Sequence, residues 1–215
     1  FVVPQFAAMF EDAGTGIPPS ALFLLNLSDF IQSYGYLFII LAVSLVFFWY
    51  RLDKDPVTKL QKDNFLLSLP LIGRLILYKE CAVFSRTLGA LLGAGIPLIR
   101  SLRVSREVVV NTVLSKHLTD VEEDVRGGAG LGISIEKTGI FPTLLHQLVA
   151  VGEESGRTSE ILLKSASTFD NYVRTQMSVI VSAMQPALII FLAIAVGGIT
   201  ITMLSAVFSM NAVEF

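Results

Sequence analysis

The chain has 215 residues, with 16 lysines and arginines against 18 aspartates and glutamates, and 53% of it is hydrophobic. That near-neutral balance, with no basic stripe carrying interleaved aromatics, argues against a nucleic-acid surface. The single cysteine, Cys81, excludes an internal disulfide and any cysteine-based metal cluster.

Residues 1–29 read as a connector outside the membrane. Gly14, Gly16, Pro18 and Pro19 mark it as a loop, and Ser20 to Ser33 suit a short helix leading into a first span. Residues 1–10 lack the basic start of a signal peptide. Phe1-Val-Val reads as the remnant of an earlier span, so the chain is expected to be a fragment. Residues 30–50 carry no charge. These 21 residues reach about 31 Å as a helix, close to a hydrocarbon core of about 30 Å. Trp49 and Tyr50, directly before Arg51, fit an interfacial aromatic belt.

Residues 51–174 hold all 16 basic residues. Glu11, Asp12, Asp29 and Glu214 lie outside, so 14 of the 18 acids are here and the segment is net +2. Lysine and arginine stay on the cytoplasmic side, which places 51–174 in the cytoplasm and both ends of the chain outside. The segment reads as helical throughout. Asp55-Pro56 is a helix start, and Pro70 stops that helix. A second helix over about 73–92 puts Leu77, Cys81, Phe84, Leu88 and Leu91 on one face. Gly93-Ala-Gly95 ends it, and Pro97 opens a third with Leu98 and Leu102. A fourth, over about 112–126, repeats Leu114, Leu118, Val121 and Val125 at steps of four, three and four. Lys116, Asp120, Glu122, Glu123 and Asp124 are then expected to face water. Gly127, Gly128, Gly130 and Gly132 break it, and a short turn over 133–138 leads to Phe141-Pro142 and a fifth helix ending near Ser155-Gly156. Thr158 or Ser159 is expected to cap a sixth.

Residues 175–213 form a second charge-free stretch of 39 residues, more than one crossing needs and too few for two with a turn. A helix extension followed by one membrane helix fits, leaving 214–215 as an outer tail. No break separates it from the sixth helix. Pro186 removes a backbone donor and is expected to kink this helix. After Gln185, beside it, no strongly polar side chain follows until Asn211, and Ala193 and Gly197 make a small-xxx-small face for close helix approach. The absence of a charge within either span counts against a transporter.

Catalytic and metal readings are weak. Consecutive Glu122, Glu123 and Asp124 point in different directions on a helix. His117 and His146 lack a partner at ligand spacing, and Cys81 sits on an apolar face. The Gly-rich run has neither a preceding strand nor a Gly-Lys-Ser/Thr continuation, so it does not read as a phosphate loop. Glu153 and Glu154 lie at a helix C-terminus, where the macrodipole disfavours anions. Gly156 reads as the C-cap, with the two carboxylates either exposed or contacting a cation or a basic partner surface.

The run Phe84-Ser-Arg-Thr-Leu-Gly-Ala-Leu-Leu-Gly-Ala-Gly-Ile-Pro-Leu98 resembles the opening signature of bacterial secretion and pilus platform proteins: general secretion pathway protein F of type II secretion and its type IV pilus counterpart. Phe141-Pro142 with Val151-Gly-Glu-Glu-Ser-Gly156 is similar to that family's second signature, and Val3 to Phe10 and Ser28-Asp-Phe30 resemble its external connector. Gln185-Pro-Ala-Leu-Ile-Ile190 stands where the family usually has Glu-Pro before the last span. The family's cation site belongs to its first domain copy and is not carried over.

The resemblance implies an all-α fold: a cytoplasmic six-helix bundle between two transmembrane helices, the last bundle helix running into the second span. It implies the C-terminal half of a multi-pass inner-membrane platform, with residues 51–174 cytoplasmic and both ends periplasmic. The implied role is non-enzymatic and without cofactor: a cytoplasmic assembly ATPase is coupled to extraction of pseudopilins for pseudopilus assembly and protein export. The implied partners are that ATPase, other platform subunits, pseudopilins or pilins, the lipid bilayer and further copies of the chain. A type IV pilus platform is the alternative within the family; a transporter subunit or a membrane-anchored sensor is the alternative outside it. Arg86, Gly95, Pro97, Pro142, Gly152, Glu153, Glu154 and Gly156 are the motif and contact candidates, and Gln185, Pro186, Ala193 and Gly197 the hinge and packing candidates.

Overall fold

The computed structural model describes residues 55–211 and, before them, positions 26, 30, 33–38, 40, 41, 43 and 44. All regular structure among the described residues is helical. The elements with full bounds are α1 (Pro56–Ser68), α2 (Ile72–Gly93), α3 (Leu98–Glu107), α4 (Thr112–Arg126), α5 (Leu131–Thr138), α6 (Thr143–Ser155) and α7 (Thr158–Asn211). The chain divides into two units, residues 51–180 and the flanking segments 1–50 with 181–215.

In the first unit the helix boundaries follow local chemistry. Pro56 opens α1, where its missing N–H costs nothing. α2 ends in a Schellman motif: Gly95 takes φ +78°, its N–H donates to Leu92 O at 3.0 Å, and the Ile96 N–H donates to Leu91 O at 3.1 Å. Asn111 caps α4, its side-chain oxygen accepting from the Val113 and Leu114 N–H groups at 3.1 Å each.

The apolar positions then converge. Phe84 and Leu88 of α2 pack in one cluster with Leu114, Leu118 and Val121 of α4, Leu131 and Ile135 of α5, Leu145 and Val149 of α6, and Leu162 and Phe169 of α7. All are at most 2% exposed. Each such side chain contributes roughly 1.5–3 kcal/mol by leaving water. Cys81 joins this core at 1% exposed, and burial, with Glu80 adding a smaller push, drives its thiol far above the ordinary range.

Three expectations need correction. Residues 131–138 are a two-turn helix, α5, and not a short turn. Glu122, expected in water, is 4% exposed. Three arginines gather on its carboxylate and make burial tolerable: Arg103 Nη2 at 3.3 Å, Arg106 Nη1 at 3.8 Å and Arg126 Nη2 at 2.6 Å. Thr158 is already helical, and the Ser159 hydroxyl donates to Gly89 O on α2 at 2.7 Å and caps nothing.

In the flanking unit α7 continues to Asn211. Its described apolar side chains stand exposed, among them Leu188 at 59%, Phe191 at 69% and Ile194 at 71%. The helix is long and apolar enough over Thr158–Gly198 to cross a membrane. Ten of the 21 residues of the expected first span, 30–50, lie outside the described residues; Phe30, Phe38 and Ile40 within it are helical and exposed. The connector 1–29, apart from position 26, and the tail 214–215 also lie outside them.

Candidate functional site

Glu153 organises the part of the bundle that carries the motif residues. It lies in the last turn of α6, where its own helix dipole is unfavourable to an anion. Its side chain reaches the start of α5 instead. Oε1 accepts from the Leu131 N–H at 2.7 Å and Oε2 from the Gly132 N–H at 2.8 Å. The Gly-rich run therefore does present an anion-binding helix N-terminus, and the anion is an internal carboxylate. Gly132 is required by contact: a Cβ there would sit 2.9 Å from the Ala150 backbone N of α6.

The same turn is closed by Gly156 at φ +67°, with the Arg157 N–H donating to Gly152 O at 2.9 Å. This reverses the chain into α7. A Cβ on Gly152 would stand 3.0 Å from Thr158 Cα, so the glycine lets α6 approach the start of α7. Leu92, Leu98, Leu131, Glu153, Gly156, Thr158 and Ser159 line a cleft of about 440 Å³ here. It combines apolar walls with the Glu153 carboxylate and the Thr158 and Ser159 hydroxyls, of which the carboxylate and the Ser159 hydroxyl are hydrogen-bonded within the bundle. That chemistry suits holding a side chain better than transforming a substrate.

From this cleft α2 and α7 run together. A Cβ on Gly89 would meet Ser159 O at 3.0 Å and Leu162 Cβ at 3.1 Å, and one on Gly93 would meet the Ser159 hydroxyl at 2.8 Å. Arg86 pairs with Asp170 further along. Tyr78 stacks on Tyr172 with centroids 4.1 Å apart and meets Phe169 edge-on at 5.6 Å. Small residues, an ion pair and aromatic contacts thus fasten the first turns of α7 to α2.

The structure brings Gly152, Glu153 and Gly156 to this cleft. Gly95 and Pro97 form the turn between Leu92 and Leu98, which line it. It does not bring Arg86 there, since that side chain belongs to the α2–α7 seam. Pro142 starts α6, and Glu154 is exposed. Gln185, Pro186, Ala193 and Gly197 all lie within α7, and no atom stands within 4 Å of where a Gly197 Cβ would be. No group of three or more His, Cys, Asp or Glu side chains suited to a metal occurs among the described residues.

Several important residues went unnoticed in the sequence. Asp63, 7% exposed, accepts from both the N–H and the hydroxyl of Thr112 at 2.7 Å. Glu80, 5% exposed, accepts from the Val110 N–H at 2.9 Å. The Asp63 carboxylate ties α1 to the start of α4, and the Glu80 carboxylate ties α2 to the loop that leads into it. Their partners lie 49 and 30 residues away, so no local spacing reveals them.

Comparison with known proteins fits this arrangement. The family model for type II secretion system (T2SS), protein F, matches residues 84–206. The chain belongs to that family. The Type II secretion system protein F of Pseudomonas aeruginosa is 32% identical over 212 residues, which is 98% of this chain and 52% of that protein. The protein of the same name from Vibrio cholerae is 30% identical, again over 98% of this chain and 52% of its own length. A Type IV pilus assembly protein PilC of Pseudomonas aeruginosa is also 30% identical, over 98% of this chain and 56% of that protein. The chain thus spans about half the length of the curated relatives it matches. The protein F family match begins at Phe84, inside the motif that opens the α2–α7 seam, and it takes in Glu153 and Pro186.

Proposed function

We propose that this chain is part of an inner-membrane platform of a type II secretion system, with a structural and mechanical role in place of catalysis. Residues 51–174 lie in the cytoplasm and receive the action of an assembly ATPase. α7 carries it into the bilayer, where pseudopilins are extracted for pseudopilus assembly. Spans over 30–50 and the apolar part of α7 leave both ends of the chain in the periplasm.

One observation carries the reading. α7 is uninterrupted from Thr158 to Asn211, and its character changes along its length. Leu162 and Phe169 are fully buried, while from Val181 to Phe208 the described large apolar residues stand exposed. A helix apolar on every face needs an apolar solvent. A helix that runs on from the packed end to the lipid end also gives displacement of the first a direct path to the second.

A short Gly-Gly-Ser insertion after Thr175 tests this in the native protein. Glycine costs about 1 kcal/mol per residue in a helix, and the insertion breaks the mechanical connection. Secretion is expected to fall to background while membrane insertion and the fold of 55–174 persist. Full secretion would sink the coupling role. A pilus role is the second reading, because PilC is matched at 30% identity over the same share of this chain. Copurification of the native protein with a secretion ATPase or with a pilus ATPase separates the two.

A further inference from the structure

A basic patch on α3 and α4 lies outside the site described above. α3 carries Arg100, Arg103 and Arg106 at intervals of three, and α4 adds Arg126. Arg103 donates through Nε and Nη2 to Glu122 Oε1 at 3.3 Å each, and Arg126 Nη2 donates to the same oxygen at 2.6 Å. Arg106 Nη1 stands 3.8 Å from Oε2 and donates to Thr119 Oγ1 at 2.9 Å. Three guanidinium groups therefore share one carboxylate, and two positive charges stay unneutralised. The Arg103 and Arg126 side chains remain 55% exposed. Each guanidinium has five N–H donors, so most of theirs still face outward.

We propose that this face docks an acidic segment of a protein partner, two of whose carboxylates complete the charge balance around Glu122. Buried Glu122 holds the arginines in place before binding, which reduces the ordering cost of association. Val104 at 38% and Val108 at 41% exposed stand on and just after the same helix, giving the arginine-plus-apolar composition favoured at interfaces. Exposed Glu107 directly follows Arg106 in the chain, an acidic neighbour that disfavours a long polyanion or an anionic leaflet. Bidentate geometry suits carboxylates. This surface is separate from the α7 coupling, so either proposal can fail alone.

The test uses the whole chain in neutral detergent micelles and a short fluorescent peptide of alternating glutamate and leucine. Binding read by anisotropy is expected to weaken about tenfold or more in R103A/R126A, to weaken less in R103K/R126K, and to stay unchanged in K116A, which removes one exposed charge elsewhere on α4. Lysine keeps the charge and loses the fork, so the lysine pair gives an answer even where the alanine pair folds poorly. Peptide affinity equal to wild type in R103K/R126K, or in a folded R103A/R126A, would overturn the proposal. So would displacement of the peptide by inorganic phosphate at equal charge, which marks a simple anion site. Binding of phosphatidylglycerol vesicles, lost in R103A/R126A and stronger than peptide binding, would assign the face to lipid and overturn it as well.

Discussion

A carboxylate in the last turn of a helix faces the negative end of that helix. Glu153 avoids this cost by bonding the positive end of another, 22 and 21 residues back in the chain. Hydrogen bonds to a charged group contribute roughly 1.5–3 kcal/mol, and Glu153 is half-buried, so the lower part of that range applies. Glu153→Ala is expected to destabilise the domain by about 1.5–2 kcal/mol in denaturant unfolding. It should also speed hydrogen exchange at the Leu131 and Gly132 amides, with Glu153→Gln intermediate. Unaltered exchange at those two amides would remove the capping role. At this scale the sequence was half legible. Steps of four, three and four placed Leu114, Leu118, Val121 and Val125 in the core, where they are. The same periodicity put Glu122 in water. Periodicity ranks polarity around one helix, and Glu122 is buried by arginines that come partly from another.

Between elements, glycine position decides how closely helices approach. α2 can lie against α7 because Gly89 presents no side chain to Ser159 O, a backbone atom that cannot rotate away. Gly89→Val is therefore expected to push the two helices apart and cost about 1–3 kcal/mol, read as a lower midpoint of unfolding. A midpoint at or above that of the parent chain would show that the seam can widen freely. The bounds of α1, α2, α4 and α6 were visible from Pro56, Gly93 to Gly95, Arg126 followed by glycines, and Gly156. α5 was not, because two glycines fall in or beside its first turn and it has eight residues. Its stability comes from Glu153 and from close contact with α6, both set by tertiary structure. The Ser159 tether was missed for the same reason: serine at a helix start suggests a cap, yet its acceptor is 70 residues away.

For the whole molecule, the proposed coupling would require α7 to be stiff enough to transmit displacement and able to bend where it would enter the bilayer. Pro186 is the candidate for the second requirement. It lies inside the helix, and without an N–H it cannot bond the Ser182 carbonyl four residues earlier. A proline in a helix interior costs about 3 kcal/mol relative to alanine, so the site yields more readily than its neighbours. Gln185 sits immediately before it, with an amide able to serve a freed carbonyl. Bending there would let the α2–α7 seam move without tilting the apolar segment through the bilayer. Pro186→Ala restores the missing bond and stiffens the junction. The variant is expected to insert normally, to unfold at a higher temperature in detergent, and to lower secretion several-fold. A raised midpoint with undiminished secretion would eliminate the hinge and leave α7 as a straight rod. Lowered secretion with an unchanged midpoint would point to a contact made by the proline ring. The Gly-Gly-Ser insertion after Thr175 should abolish secretion in either case, because it removes the connection that both a hinged and a straight helix require.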